Sequence, residues 1–166
     1  VPFFLHKSMA ICTGRGEIIK PMPNYNPPSK WFVLAIPPIG LNTALVYRAW
    51  STGKRMPSLY RDASDFLERW LISEDVPFFN GLWFAATQVA PVMKRYYSLL
   101  PGSNWTLTGS GSAFFAPALD KSEAFQKIEH MPVVAGFRTF IVSALPFHSM
   151  SEGRNHEHQR SEDQTR

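Results

Sequence analysis

Residues 31–36, WFVLAI, are a continuous apolar run closed by Pro37 and Pro38, the pattern of a buried strand. Before it, residues 10–21 (AICTGRGEIIKP) set Ile11, Ile18 and Ile19 on either side of a Gly-Arg-Gly turn, which predicts two short strands. After it, residues 42–50 (NTALVYRAW) predict a helix opened by Asn42 and Thr43, side chains suited to capping. In residues 65–72 (DFLERWLI), Phe66 and Trp70, and Leu67 and Leu71, recur at helical spacing, with Asp65 suited to the cap or first turn. Residues 79–100 are the longest helical candidate, which Gly81 delays and Pro91 kinks or breaks.

The pattern changes again at residues 105–116, which read as strand, glycine turn, then strand or helix start. Residues 121–130 predict a helix capped by Ser122, with Ala124, Phe125 and Ile128 as its apolar face, and residues 137–145 (FRTFIVSAL) predict a last strand. Pro2 suits the first turn of a helix at residues 1–5, while residues 24–30 (NYNPPSK) and 51–61 read as link and loop. The order β-β-β-α-α-α-β-α-β predicts an α+β fold, a mostly antiparallel sheet with helices packed on one face. Residues 151–166 lack the apolar side chains needed to order by burial and are expected to be a disordered tail; His156 and His158 within it are not read as metal ligands.

Composition narrows this picture. At 166 residues and 45% hydrophobic, the chain can bury one core, and length alone argues for one domain. Its single cysteine, Cys12, rules out an internal disulfide and fits a cytoplasmic location. No apolar run approaches the roughly 20 residues of a membrane span, and the first residues lack the order of a secretory signal. The net charge is +4, but the 17 Lys and Arg residues are scattered, so neither nucleic acid nor membrane is expected as a partner. The first residue is Val, from which a longer reading frame is expected.

Candidate chemistry centres on residues 107–116, LTGSGSAFFA, where Gly109 and Gly111 alternate with Ser110 and Ser112. Glycines let a backbone approach a ligand closely, and consecutive amides can form an anion-binding concavity. The stretch lacks the third glycine of the dinucleotide fingerprint and the lysine of a phosphate loop, and it serves equally well as a tight turn between packed elements. Thr43 at a helix start can hold a ligand hydroxyl or phosphate or simply cap the helix, and Tyr47, one turn on, can stack on a ring or pack into the core. Residues 14–17 (GRGE) serve as a hairpin turn. No Ser-His-Asp set, metal cluster or carboxylate pair stands out.

The order of these landmarks carries a resemblance. VPFFL, A-x-x-x-G-x-G-E at residues 10–17, a Trp-led strand ending in proline, N-T-A-x-x-Y at residues 42–47 and LTGSGSAFF follow one another. The series resembles the 4-diphosphocytidyl-2-C-methyl-D-erythritol kinases of the GHMP kinase superfamily, over about residues 1–146. The resemblance implies that residues 107–115 are the superfamily's third glycine-rich motif, close to bound substrates, so that Gly109, Ser110, Gly111 and Ser112 line the substrate. It further implies that Thr43 approaches the substrate's reacting region, that Tyr47 stacks on its cytosine ring, and that residues 14–17 have no catalytic role.

By the same resemblance, the parent activity is ATP-dependent phosphorylation of a 2-hydroxyl on the erythritol unit, with Mg2+, in non-mevalonate isoprenoid synthesis. The family's phosphate loop and catalytic lysine lie in its N-terminal half, and its catalytic aspartate immediately precedes the position of Val1. No residue of this chain is therefore expected to be catalytic, no metal site is expected, and neither ATP nor Mg2+ is expected to bind it tightly. Residues 1–28 correspond to a remnant of the N-terminal domain and its link, and residues 29–150 to the GHMP C-terminal domain. The expected ligand is the cytidyl diphosphate sugar alcohol, and the isolated fragment is expected to be inactive and to self-associate.

Overall fold

In a computed structural model of the chain, the residues described are 9–14, 16–22, 31–53, 57–72, 76–131 and 136–144. The helical turn expected at residues 1–5, the link at 24–30 and the tail at 151–166 lie outside them. The described residues fall into two compact units, a hairpin and the remainder within Asn26–Ala144.

The hairpin joins β1 (Met9–Thr13) to β2 (Ile18–Met22) in antiparallel register, Thr13 opposite Ile18. Gly14 and Gly16 both take positive φ, 69° and 98°, a region costly for residues with a Cβ, and the Gly16 N–H donates to Thr13 O at 3.0 Å. Cys12 is a free, exposed thiol on this hairpin.

The larger unit is an antiparallel sheet of four strands in the order β4-β5-β3-β6: β3 (Trp31–Ile36), β4 (Thr106–Leu107), β5 (Phe114–Ala118) and β6 (Arg138–Ser143). Five helices accompany it: α1 (Thr43–Thr52), α2 (Ala63–Ile72), α3 (Trp83–Val89), α4 (Val92–Ser98) and α5 (Lys121–Glu129). This is the expected α+β fold with antiparallel strands, but the helices are not all on one face as expected, because the aromatic residues of α2 pack on the other. Strand alternation explains the core. Val33 and Ala35 on β3 stand opposite Ala116 and Phe114 on β5, and all four are fully buried. They join Val46 of α1, Ala85 and Ala86 of α3, Met93 of α4 and Ala124 of α5 in one cluster. The alanines matter because a small side chain lets a helix approach the sheet closely. On the opposite sheet face an aromatic group meets Phe115: Phe78 stacks edge-on against it, and Phe66 and Trp70 of α2 pack against Phe78.

Several expectations are sharpened. The helix expected over 79–100 is two helices divided at Pro91, where the missing amide ends the first ladder. The segment after the glycine turn is strand, not helix. Residues 51 and 52, expected as loop, complete α1, their hydroxyls donating to Arg48 O at 2.9 and 3.0 Å. The cap of α5 is Asp120 rather than Ser122, its carboxylate accepting from Glu123 N at 2.8 Å. Phe125 is half exposed, whereas Ala124 and Ile128 do face the core. The cap of α2 is Asp62, which accepts from Ser64 N and Asp65 N at 2.8 and 2.9 Å, leaving Asp65 in the first turn. Among the described residues no helix is long and apolar enough to cross a membrane.

Candidate functional site

Two segments far apart in sequence meet at one place. Strand β3 ends at Pro37 and Pro38, and the chain turns through Ile39–Leu41 into α1. Asn42 caps that helix, its Oδ1 accepting from Leu45 N at 3.2 Å, so Thr43 is spared for another partner. Its Oγ1 lies 2.9 Å from Ser110 Oγ, an exposed pair in which either hydroxyl can donate. Ser110 stands at the tip of the β4–β5 turn.

That turn closes on itself and is tied down from two sides. Thr108 N donates to Ala113 O and Gly111 N to Thr108 O, each at 2.9 Å. Gly109 and Gly111 take φ of 54° and 93°. A Cβ on Gly111 would lie 2.7 Å from Leu41 Cδ1, whereas one on Gly109 would meet nothing within 4 Å. Gly111 is therefore needed for packing as well as conformation, and Gly109 for conformation alone. Ser112 Oγ is buried and donates to Ile39 O, fastening the turn to the β3–α1 connection. On the other side, Asn80 Nδ2 donates to Leu107 O at 2.6 Å and Gly109 O at 2.8 Å.

The six residues singled out from sequence thus divide. Thr43, Ser110, Gly109 and Gly111 come together at the exposed turn. Ser112 belongs to the same turn, but its hydroxyl is buried in a structural bond. Tyr47 lies one turn along α1 from Thr43 and is 52% exposed, which removes core packing as its role. Asn80 was missed. An Asn before a Gly signals a turn, and no local pattern connects it to a loop 27 positions later.

Among the described residues no main-chain carbonyl accepts from the amides of Gly109, Ser110 or Ser112. The side chains that meet here, Leu41, Thr43, Asn80, Ser110 and Ser112, are all uncharged. Among the described residues no group of three or more His, Cys, Asp or Glu stands together to hold a metal ion. The arrangement offers hydroxyls and amides to a polar, hydroxylated ligand. With no charged side chain among them, these residues offer the phosphates of ATP no counter-charge of their own. Trp31, a stacking residue if the chain bound nucleic acid, is half buried against the core, with the Lys121 ammonium 5.9 Å from its ring centre.

No protein-family model matches the chain. It is similar to the 4-diphosphocytidyl-2-C-methyl-D-erythritol kinase of Protochlamydia amoebophila (strain UWE25), 32% identical over 118 residues, which cover 69% of this chain and 38% of that protein. The kinase of the same name from Blochmanniella pennsylvanica (strain BPEN) is 27% identical over 150 residues, 89% of this chain and 48% of that protein. A crystal structure of 4-(cytidine 5'-diphospho)-2C-methyl-D-erythritol kinase aligns with a TM-score of 0.64 at 29% identity, over 86% of this chain and 52% of that one. The chain spans about half or less of the length of these relatives. The ordered landmarks, the shared α+β fold and these likenesses agree: over most of its length the chain is similar to the 4-diphosphocytidyl-2-C-methyl-D-erythritol kinases.

Proposed function

We propose that the chain is part of a cytoplasmic, ATP-dependent kinase that phosphorylates the 2-hydroxyl of 4-diphosphocytidyl-2-C-methyl-D-erythritol in isoprenoid synthesis, and that it supplies the substrate side of the site. The observation that carries this reading is the 2.9 Å approach of Thr43 to Ser110, which joins the two segments the family resemblance assigns to substrate. Thr43 and Ser110 present hydroxyls to the erythritol end. Tyr47 offers an exposed ring to the cytosine. The amides of the glycine turn take the substrate's polar groups, with Ser112 holding the turn's shape.

Residues 29–150 act as a GHMP kinase C-terminal domain in this reading, and residues 1–28 as the edge of the N-terminal one. ATP and Mg2+ serve the whole enzyme. When bound there they supply the phosphoryl group and offset its charge. The uncharged turn supports a role for this chain in binding and orienting the acceptor rather than in moving phosphate. Taken alone, the chain is then a ligand-binding module without turnover, exposing apolar surface that promotes self-association.

The test is a titration of the isotope-labelled chain with the cytidyl diphosphate substrate, followed by backbone amide shifts, beside an ADP-release assay with ATP and Mg2+. Shifts confined to residues 41–47 and 108–112, without ADP release, are the expected result. Ordinary kinase turnover by the chain alone would refute its half-site character, and shifts located elsewhere would refute the site.

A further inference from the structure

Of the side chains that touch the glycine turn, one makes bonds that the family resemblance does not assign. Asn80 precedes α3, and its carboxamide is used at both ends. Oδ1 accepts from Leu82 N at 2.8 Å, and Nδ2 donates to Leu107 O and Gly109 O at 2.6 and 2.8 Å. The orientation is chemically determined. Two carbonyl oxygens accept only, so they require the amino end, and an N–H requires the oxygen end. Leu107 is the last residue of β4 and Gly109 the first glycine of the turn, so one side chain bridges the strand to the turn it feeds.

We infer that Asn80 is a positioning residue that holds the glycine turn where Ser110 meets Thr43. The inference deepens the substrate-side reading above and rests on it only for the ligand. No other residue type reproduces the pattern at this length. Asp keeps the acceptor for Leu82 N but sets a carboxylate oxygen against two carbonyl oxygens, and protonation restores one O–H donor. Ala removes both functions.

The experiment compares the full chain with Asn80→Asp and Asn80→Ala by amide hydrogen exchange and by calorimetric titration with the cytidyl diphosphate substrate. At neutral pH, exchange at Thr108 and Gly111, the turn's hydrogen-bonded amides, should rise at least about tenfold in both variants, with Val33 and Ala116 unchanged. Acidification should return the Asp variant toward the wild type measured at the same pH, and leave the Ala variant loose. Substrate affinity should fall about tenfold at neutral pH and recover only in the Asp variant. Unchanged exchange at the turn would overturn the inference, as would loss of acid recovery or equal loosening of turn and core. Global unfolding of the Asp variant at neutral pH would do the same. A wild-type chain that ignores the substrate would sink the functional reading alone, because exchange still decides the role of Asn80.

Discussion

Thr43 Oγ1 and Ser110 Oγ stand 2.9 Å apart although 67 positions separate them. Each hydroxyl has one proton and two lone pairs, so the pair spends one donor and one acceptor on itself and keeps the rest for a ligand. Neither is sequestered: Thr43 is exposed and Ser110 half-exposed. An exposed contact of this kind adds little to folding, because water replaces either partner at small cost.

Thr43→Val and Ser110→Ala should therefore each change unfolding free energy by less than about 1 kcal/mol, with a coupling of about 0.5 kcal/mol in the double-mutant cycle. Substrate affinity should fall by about tenfold in each, or ~1.4 kcal/mol. Urea denaturation and calorimetric titration read the two effects separately. Large stability losses with intact affinity would reverse the assignment.

The two glycines of the turn should respond differently. Gly109→Ala meets open space and suffers only the positive φ, so it should cost about 1–2 kcal/mol. Gly111→Ala adds a Cβ 2.7 Å from Leu41 Cδ1 and 3.1 Å from Leu107 Cδ1, and should cost more than about 2 kcal/mol. Denaturant midpoints rank the pair, and an equal or inverted ranking would contradict the packing described here.

Much of this was legible in sequence wherever the signal was local. The run at 31–36 became β3 with the same bounds, Asn42 capped α1, and Pro91 divided α3 from α4. Both segments of the site were visible for the same reason: glycine and capping residues announce their own backbone geometry. What stayed hidden depends on partners distant in the chain. Ser112 and Ser110 look alike as residues, yet one reaches Ile39 O and the other Thr43, because successive residues of a turn point in different directions. Phe125 matched the apolar spacing of α5, but Ala124 is the residue that fits the close approach to the sheet.

That last distinction sets a large difference between two phenylalanines. Phe114→Ala empties a site that is fully buried, and should cost about 3–5 kcal/mol. Phe125→Ala removes a half-exposed ring beside the Lys121 ammonium, 5.7 Å away, and should cost less than about 1 kcal/mol. Thermal or urea unfolding of the two variants checks the contrast.

Helix α5 offers a similar test of its start. Asp120→Ala removes the carboxylate that accepts from Glu123 N and should cost about 1 kcal/mol, whereas Ser122→Ala lies inside the helix and should change stability by no more than about 0.5 kcal/mol. A greater loss at Ser122 would return the cap to the position its residue type first suggested.

Acid sensitivity should arise in part from Asp65. Its carboxyl is held below the usual carboxylate range, first by the Arg61 backbone N–H at 2.9 Å and then by the Arg69 guanidinium at 2.9 Å. Glu123 shifts the same way: burial pushes it up, but the Lys127 ammonium and the Leu119 N–H outweigh that. A carboxyl depressed in the folded state contributes stability that is present above its unfolded-chain value and lost as pH falls through its folded value. The chain should therefore lose stability on the acid side of the carboxylate range, not near neutrality. Asp65→Asn keeps an oxygen for the Arg61 N–H but not the charge, so it should be less stable at neutral pH and show a shallower acid decline. The two melting temperatures should converge once the wild-type carboxyl is protonated. A variant that keeps the wild-type slope through that range would remove Asp65 from the account and leave Glu123 to explain the decline.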